Sequence, residues 1–595
     1  MKSTKKLVAL ILVAVMLIAA LAACADADTP SAPPTAAPPD TSGTPTDTGE
    51  DPGDASGDDF GGLRPFTYND EFPGEVGLAK YNEPLTVSMS LHLNENVTFP
   101  PGQDWDSNIW RTHQEEMLNI LIDVVWTAEG LDNYNQRVNL SIVSGDLPDV
   151  MAVEPPQFEA LSRAGLAQDM TWALETYASE FLRDQISYPD AIEAFRQSTI
   201  NGMLLGIPRA NAGFGRHHFV FIREDWRRNL DMPEPRTMAD LRELAHAFTF
   251  NDPAGDGRTT YGLGVGSSLI STYMSINGFA NAFGAFPRSW IDRDGQIVNG
   301  SIQPEMANAL AELNRWYNEG IMDPEFIADD NFAASQKLIA GRNGIAFAEW
   351  WLATWPLPDA YQNGDEWRGY IIPFDESAPE RRVRVANRVG SRYVVNPNME
   401  EPGAIIKLLN LYQQRTLHPE ADLNHWKGDG EYNFSQFAAI TGDHGSDKNH
   451  EIYLAVTAAI DNDDLSFLTT TEMVQVHSYI EAYISGSPTW EENPQAFATN
   501  RMFYNINYGL NSIYALLDYM ATNNMLKVDP FNGTLTDAMM TREVSLNDLE
   551  NQVFTAIITG IEPLSYFDTF VEMWLEEGGA EMTAEVNEWA AYFRR

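Results

Sequence analysis

Two neighbouring indoles, Trp350 and Trp351, follow the apolar run Gly344-Ile-Ala-Phe-Ala348 after a single Glu349. Successive side chains leave a strand on opposite faces, so two tryptophans at its end cannot both enter one core layer. The one left outside offers a flat face to the C–H surface of a pyranose ring; packing is the plainer role for such a pair. A second pattern, Asp252-Pro-Ala-Gly-Asp-Gly-Arg258, has the outline of a calcium loop with Asp252 and Asp256 as candidate ligands. Calcium takes about six to eight oxygens, including acids late in the loop. Here Ala254 holds the third position and Thr259, Thr260 and Tyr261 stand where late acids belong. A metal-free turn is favoured, and no cofactor is expected. Catalytic signatures are missing: there is no Gly-x-Ser-x-Gly elbow, no His-Glu-x-x-His and no phosphate-cradling Gly-x-x-x-x-Gly-Lys loop. A pair of carboxylates could serve a glycoside hydrolase, but 85 acidic residues make chance pairs inevitable. No catalytic residue is assigned.

The elements that must carry these residues read as an α/β protein. Pro84–Leu93 alternates β-branched and apolar residues as a strand does. The spacing of Trp110, Met117, Ile120, Leu121 and Val124 predicts a helix over Trp110–Thr127, and Asn133–Ser144 reads as a second helix stopped at Gly145 and Pro148. Asp149–Val153 follows as a buried strand. A second α/β region starts at Phe219–Ile222, and its helix is marked by Thr237 as N-cap with Asp240 three places on. Gly344–Ala348 and Gly390–Val395 are further strands, and Pro402–Gln413 is a helix. From about Asn424 the chain is mostly helical and aromatic-rich, and no fixed-period repeat occurs. Strands alternating with helices argue for βαβ units around a parallel sheet.

The ends of the composition are as informative. The sole cysteine, Cys24, closes Leu21-Ala-Ala-Cys24 behind Lys2, Lys5, Lys6 and the apolar stretch Leu7–Ala20. Basic head, short apolar core and small residues describe an export signal over residues 1–23 rather than a spanning helix. Leu-Ala-Ala-Cys at that place resembles the bacterial lipobox, in which the thiol takes a diacylglyceryl group; two acyl chains suffice for stable anchoring. Residues 24–62 are rich in Pro, Thr and acids, without Lys or Arg, and cannot bury a core. They read as a disordered tether reaching about 30–40 Å. Without a second cysteine there is no disulfide, so the body must stand on its core alone. With 38 Lys+Arg against 85 Asp+Glu the net charge is −47, which excludes nucleic acid as a partner and leaves the lipid, not a basic patch, to hold the membrane.

Several segments together resemble one family. Tyr134–Asp149, Gly206-Ile-Pro-Arg209, Ile222-Arg-Glu-Asp-Trp226, Asn251–Gly257 with Tyr261-Gly262, Phe347–Trp351 and the tail Tyr566–Trp574, Gly578-Gly579 and Val586-Asn-Glu-Trp589 stand in the order seen in bacterial extracellular solute-binding lipoproteins of sugar ABC transporters, the large Gram-positive members in particular. The resemblance spans nearly everything after residue 80. It implies a two-lobed, hinged α/β fold of the type II periplasmic-binding-protein kind, with a helical C-terminal extension. Residues 63–210 would open lobe 1, 211–387 form most of lobe 2, and 388–595 return to lobe 1 and add helices crossing between lobes. Ligand would lie in the cleft, outside the carboxyl ends of the strands, and hinged closure would enfold it.

That frame nominates the ligand-binding residues. By resemblance to maltose-binding-type proteins the Trp350-Trp351 segment lines the cleft. His92, Asn94 and Glu95 follow the first strand, Glu154 and Gln157 the third; Arg209 and Asn211 sit at the first crossing, Arg388 at the return, and Tyr273 at the edge of the second lobe. Loop polars are as often merely solvated, and an arginine at a crossing serves equally well in an inter-lobe ion pair. The expected function is capture of an oligosaccharide or modified sugar and its delivery to an ABC permease by a monomer anchored through Cys24 on the outer face of the membrane. A surface glycoside hydrolase is the rival; a peptide-binding or sensory subunit on the same scaffold is a third reading.

Overall fold

The computed structural model describes residues 63–93, 97–209, 217–385, 389–428, 432–442, 448–533 and 535–593. Cys24, Asn94, Glu95, Asn211 and Arg388 lie outside the described residues.

Along the chain, strand β1 (Leu85–Leu93) is followed by helix α1 (Ile109–Leu118), β2 (Ile120–Glu129), α2 (Leu131–Ser144), β3 (Val150–Val153), α3 (Pro155–Arg163) and β4 (Ile207–Pro208). Then come β5 (His218–Arg223), α4 (Met238–Phe250), β6 (Tyr261–Leu263), α5 (Asn331–Ile339), β7 (Asn343–Glu349), β8 (Trp367–Tyr370), β9 (Arg392–Val395) and α6 (Gly403–Thr416). Two sheets result. The first has the order β2-β1-β3-β9-β4, the second β6-β7-β5-β8. β1 runs parallel to β2 and β3, while β9 is antiparallel to both β3 and β4. The chain therefore passes from the first sheet to the second between Pro208 and His218, and returns before Arg392.

The helix expected over Trp110–Thr127 is two elements. Asn119 takes a left-handed conformation, φ 57°, and ends α1. β2 then starts at Ile120 with alternating burial and pairs with β1 along its length, with one register shift that passes over Val125. Met117, Ile120, Leu121 and Val124 mimic helical spacing because a helix end and a strand start happen to be in phase. The other local signals hold. Gly145 is left-handed and closes α2, and Thr237 and Asp240 exchange both bonds of a capping box at the start of α4.

Two apolar cores match the two sheets. The first gathers Val87, Met89, Val150, Ile207, Tyr393 and Val395 with Leu408 and Leu409 of α6. The second gathers Phe219, Phe221, Phe248, Leu263, Phe347 and Trp367, and takes in most of the C-terminal helices through Leu546, Phe554, Trp574 and Val586. The connection between these bodies includes Asn532, whose side-chain amide donates to Glu193 at 3.0 Å and whose carbonyl accepts from Arg196 at 3.2 Å. No helix among the described residues is long and apolar enough to cross a membrane.

One charge is buried inside the first core. Lys407 of α6 is inaccessible to solvent and donates to the carbonyls of Val76 and Ala79 at 2.6 and 2.7 Å, with Tyr81 and Tyr177 against its ammonium. Burial pushes its pKa from 10.5 down to about 7, although Glu401 works the other way. Between those values the unfolded chain holds a proton that the folded chain has released, so stability rises with pH. Lys407→Met should flatten that rise between pH 7 and 9, removing a slope of at most about 1.4 kcal/mol per pH unit. Urea melts across this range test it; equal slopes in both proteins would show that the ammonium stays charged in the folded state.

Candidate ligand-binding site

β3 and β9 are antiparallel with Val153 opposite Arg392, and β4 lies on the other side of β9 with Pro208 opposite the same residue. The carboxyl ends of β1, β3 and β4 thus share one edge of the first sheet with the start of β9. A cavity of about 400 Å³ lies there. Ser90, His92, Ala152, Arg209 and Tyr393 line it from the strand ends; Trp105, Tyr412, Ser435, Gln436 and Thr441 close it from outside the sheet. Volume and composition suit a small polar ligand with flat faces.

His92 and Arg209, both expected at the site, stand together in this lining. The His92 ring is 5.9 Å from that of Tyr134, whose hydroxyl is 2.9 Å from Ser90 Oγ. Arg209 Nη1 donates to Ser391 Oγ at 3.4 Å and Nη2 to Thr441 Oγ1 at 3.3 Å, while its guanidinium carbon sits 5.2 Å from the Tyr393 ring centre. Glu154 and Gln157 have a different occupation. They form the capping box of α3, with the Glu154 amide donating to Gln157 Oε1 at 3.0 Å. The Gln157 amide group donates to Asn135 O and Asn139 Oδ1, both at 3.1 Å, which turns it onto α2 and out of the cavity.

The second sheet presents a comparable edge. β5 begins opposite the end of β7, with His218 paired to Glu349, so Trp350 and Trp351 follow β7 at the edge by which the chain enters this lobe. The two indoles part company. Trp350 packs on the second core and lies 6.2 Å from Tyr514. Trp351 joins Tyr273 at 5.1 Å and stacks with Trp355 at 6.2 Å; Trp355 in turn stacks with the exposed Phe332 of α5 at 6.0 Å. Tyr273 is also 5.8 Å from Trp355, so three rings form a triangle, with Phe332 stacked on its Trp355 corner, at one edge of the lobe.

Two groups of acids bear on metal binding. In the Asp252 loop, Asp252 takes the amide of Gly257 at 3.0 Å, and the Asp256 carboxylate takes both the amide and the side chain of Arg258. A cation would have to displace that arginine. Asp323, Glu325 and Asp329 converge closely enough to share an ion. Lys337 already stands among them, its ammonium 3.0, 2.5 and 2.5 Å from their carboxylates. Burial opposes its charge, yet the three acids hold its pKa above the usual lysine range.

Tyr393, Trp105, Tyr412 and Thr441 join the site without having been expected there. Tyr393 lies inside a strand and the others in segments distant from it, so no local pattern joins them. Only Trp105, an aromatic just past Pro100-Pro-Gly102, carried a signal that could have been used.

Comparison with known proteins adds the architecture. The alginate-binding protein AlgQ2, solved without calcium, superposes with a TM-score of 0.57 over 85% of this chain and 98% of its own, at 14% identity. The Streptococcus pneumoniae ABC-transporter substrate-binding protein FusA, solved with kestose, gives 0.58 over 86% and 99%, at 13% identity. The chain has the two-lobed solute-binding fold. In sequence it is similar to the polygalacturonan/rhamnogalacturonan-binding protein YtcQ of Bacillus subtilis, 25% identical over 236 residues, 39% of this chain and 44% of that one. It therefore spans less than half the length of that relative. Lipoprotein LipO of the same organism is 21% identical over 480 residues, 78% of this chain and 85% of that protein. No family model matches. The relatives and solved structures whose ligands are named are binding proteins, not enzymes.

Proposed function

We propose that this solute-binding chain captures an oligosaccharide between its two lobes and delivers it to an ABC permease. The observation that carries the reading is the presence of two strand-end edges, one holding a polar cavity of about 400 Å³ and the other a cluster of four aromatic rings. Aromatic faces take the C–H surfaces of sugar rings, and Ser90, Ser435, Gln436 and Thr441 offer hydroxyl and amide groups to the sugar hydroxyls. Trp351, Tyr273, His92 and Arg209 are the residues we assign to ligand. Named sugar binders among the relatives and structural neighbours support the class of ligand. The chain binds without catalysis, needs no calcium or other cofactor, and acts as a monomer. Cys24 would carry the lipid that keeps it on the outer face of the membrane beside its permease, the arrangement that a relative named as a lipoprotein supports.

Thermal melts against a panel of tri- and tetrasaccharides test this reading. A ligand present at about 100 times its Kd stabilises the folded state by about 2.7 kcal/mol, a rise of several degrees. Stabilisation by peptides alone would reject it in favour of a peptide receptor; cleavage of the stabilising glycan would make the chain a hydrolase.

A further inference from the structure

The cavity of the first lobe inverts the charge of the chain that surrounds it. The protein carries 85 acidic residues against 38 basic ones. Yet among the described residues that line this cavity there is no carboxylate, and Arg209 supplies a permanent positive charge. Arg223 is met by Asp225 and Asp365 and Arg227 by Glu224, whereas the buried Arg392 of the first sheet has its N–H groups taken by Ser198 and by the carbonyls of Gln197, Val389 and Gly390. Among the described residues no carboxylate lies within ion-pair distance of Arg209; the Tyr393 side chain and, from farther off, the Glu154 carboxylate favour its charge. Its Nε is closed off from solvent and has no hydrogen-bond partner. The two hydroxyl contacts, at 3.3 and 3.4 Å, are at the long limit for such bonds and use two of the five N–H groups. Guanidinium burial without an anion is costly, and the planar fork matches a planar carboxylate through two parallel bonds.

Resting on the proposed function, we infer that the captured sugar is acidic: a uronate residue whose ring carboxylate is received by Arg209. Tyr393, Trp105 and Tyr412 supply ring-stacking faces, and the Ser90, Gln436 and Thr441 side chains face the hydroxyls around it. A neutral sugar would bring no charge to the guanidinium and no planar acceptor for its Nε, so the same residue also selects against it. The net charge of −47 repels an acidic ligand at long range, whereas the pair formed in the cavity is shielded from salt. Association with such a ligand should therefore quicken as salt rises, the reverse of ordinary arginine steering.

Titration calorimetry on the intact chain provides the test, with trigalacturonate and trimannuronate, the methyl ester of each, a neutral galactose trimer and a sulfated trisaccharide. The expected result is that one triuronate binds at least ten-fold tighter than its own ester. Arg209→Gln should abolish that preference, bringing the acid-to-ester affinity ratio to about one, with Arg209→Lys in between. Equal binding of acid and ester, or tightest binding of the neutral or sulfated sugar, overturns the carboxylate assignment while oligosaccharide capture stands. No binding by any of these glycans fails both. Should Arg209→Gln not fold, the acid-to-ester ratio of the unaltered protein still distinguishes an acidic ligand from a neutral one.

Discussion

Arg223→Met is expected to destabilise the chain by about 3–5 kcal/mol, because it strips the cation from two carboxylates that are largely buried. Arg223 ends β5 with its side chain 5% exposed. Nε and Nη2 bind Asp225 at 2.9 and 2.7 Å, Nη1 and Nη2 bind Asp365 at 2.9 Å each, and the guanidinium lies against Trp226 and Trp367. Burial already lifts the Asp365 carboxyl to about 6 in spite of that grip. With the arginine gone it would rise further, so the folded variant would retain a proton that the unfolded chain releases at ordinary carboxylate pH. Stability would then fall as pH rises, and the deficit should be larger at pH 8 than at pH 5. Urea unfolding at both values measures it. A loss under about 1 kcal/mol, or one independent of pH, would mean that Asp365 finds water or another donor.

The second large effect concerns binding. Trp351→Ala should weaken glycan affinity by about 2 kcal/mol, roughly thirty-fold, as removal of a central aromatic anchor does. Its ring forms a triangle with Tyr273 and Trp355, and its indole N–H donates to Glu349 at 3.3 Å. Trp350→Ala should do the converse. Trp350 packs on the second core and on Tyr514, so its loss should lower the melting temperature and leave affinity within about three-fold. Calorimetry and melting curves on the two single variants separate the roles. Loss of affinity in the Trp350 variant alone would exchange them.

How far the sequence led depended on how local each signal was. The capping box at Thr237 and the stop at Gly145 are written within four residues and were legible; so was the alternation of β1. β2 was not, since its first apolar residues continue the spacing of α1, and only the left-handed Asn119 separates them. Of the residues that line the candidate cavity, the strand-end rule nominated His92 and the crossing between lobes nominated Arg209. The strand-end rule also proposed Gln157, which the structure uses to start α3. Glu154-Pro-Pro-Gln157 carried that alternative openly, as an acid and an amide three places apart around prolines. Tyr393, Tyr412 and Thr441 reach the cavity only through long-range pairing, and nothing in one linear stretch announces them.

Loops whose acids are bridged by a divalent ion loosen when that ion is withdrawn. At the corner made by Asp323, Glu325 and Asp329 the counter-charge is a side chain, Lys337, bonded to all three. It is present once per molecule from the moment of synthesis, cannot diffuse away and cannot be sequestered by a chelator. The charge of that corner of the second lobe is thereby balanced in part within the chain itself.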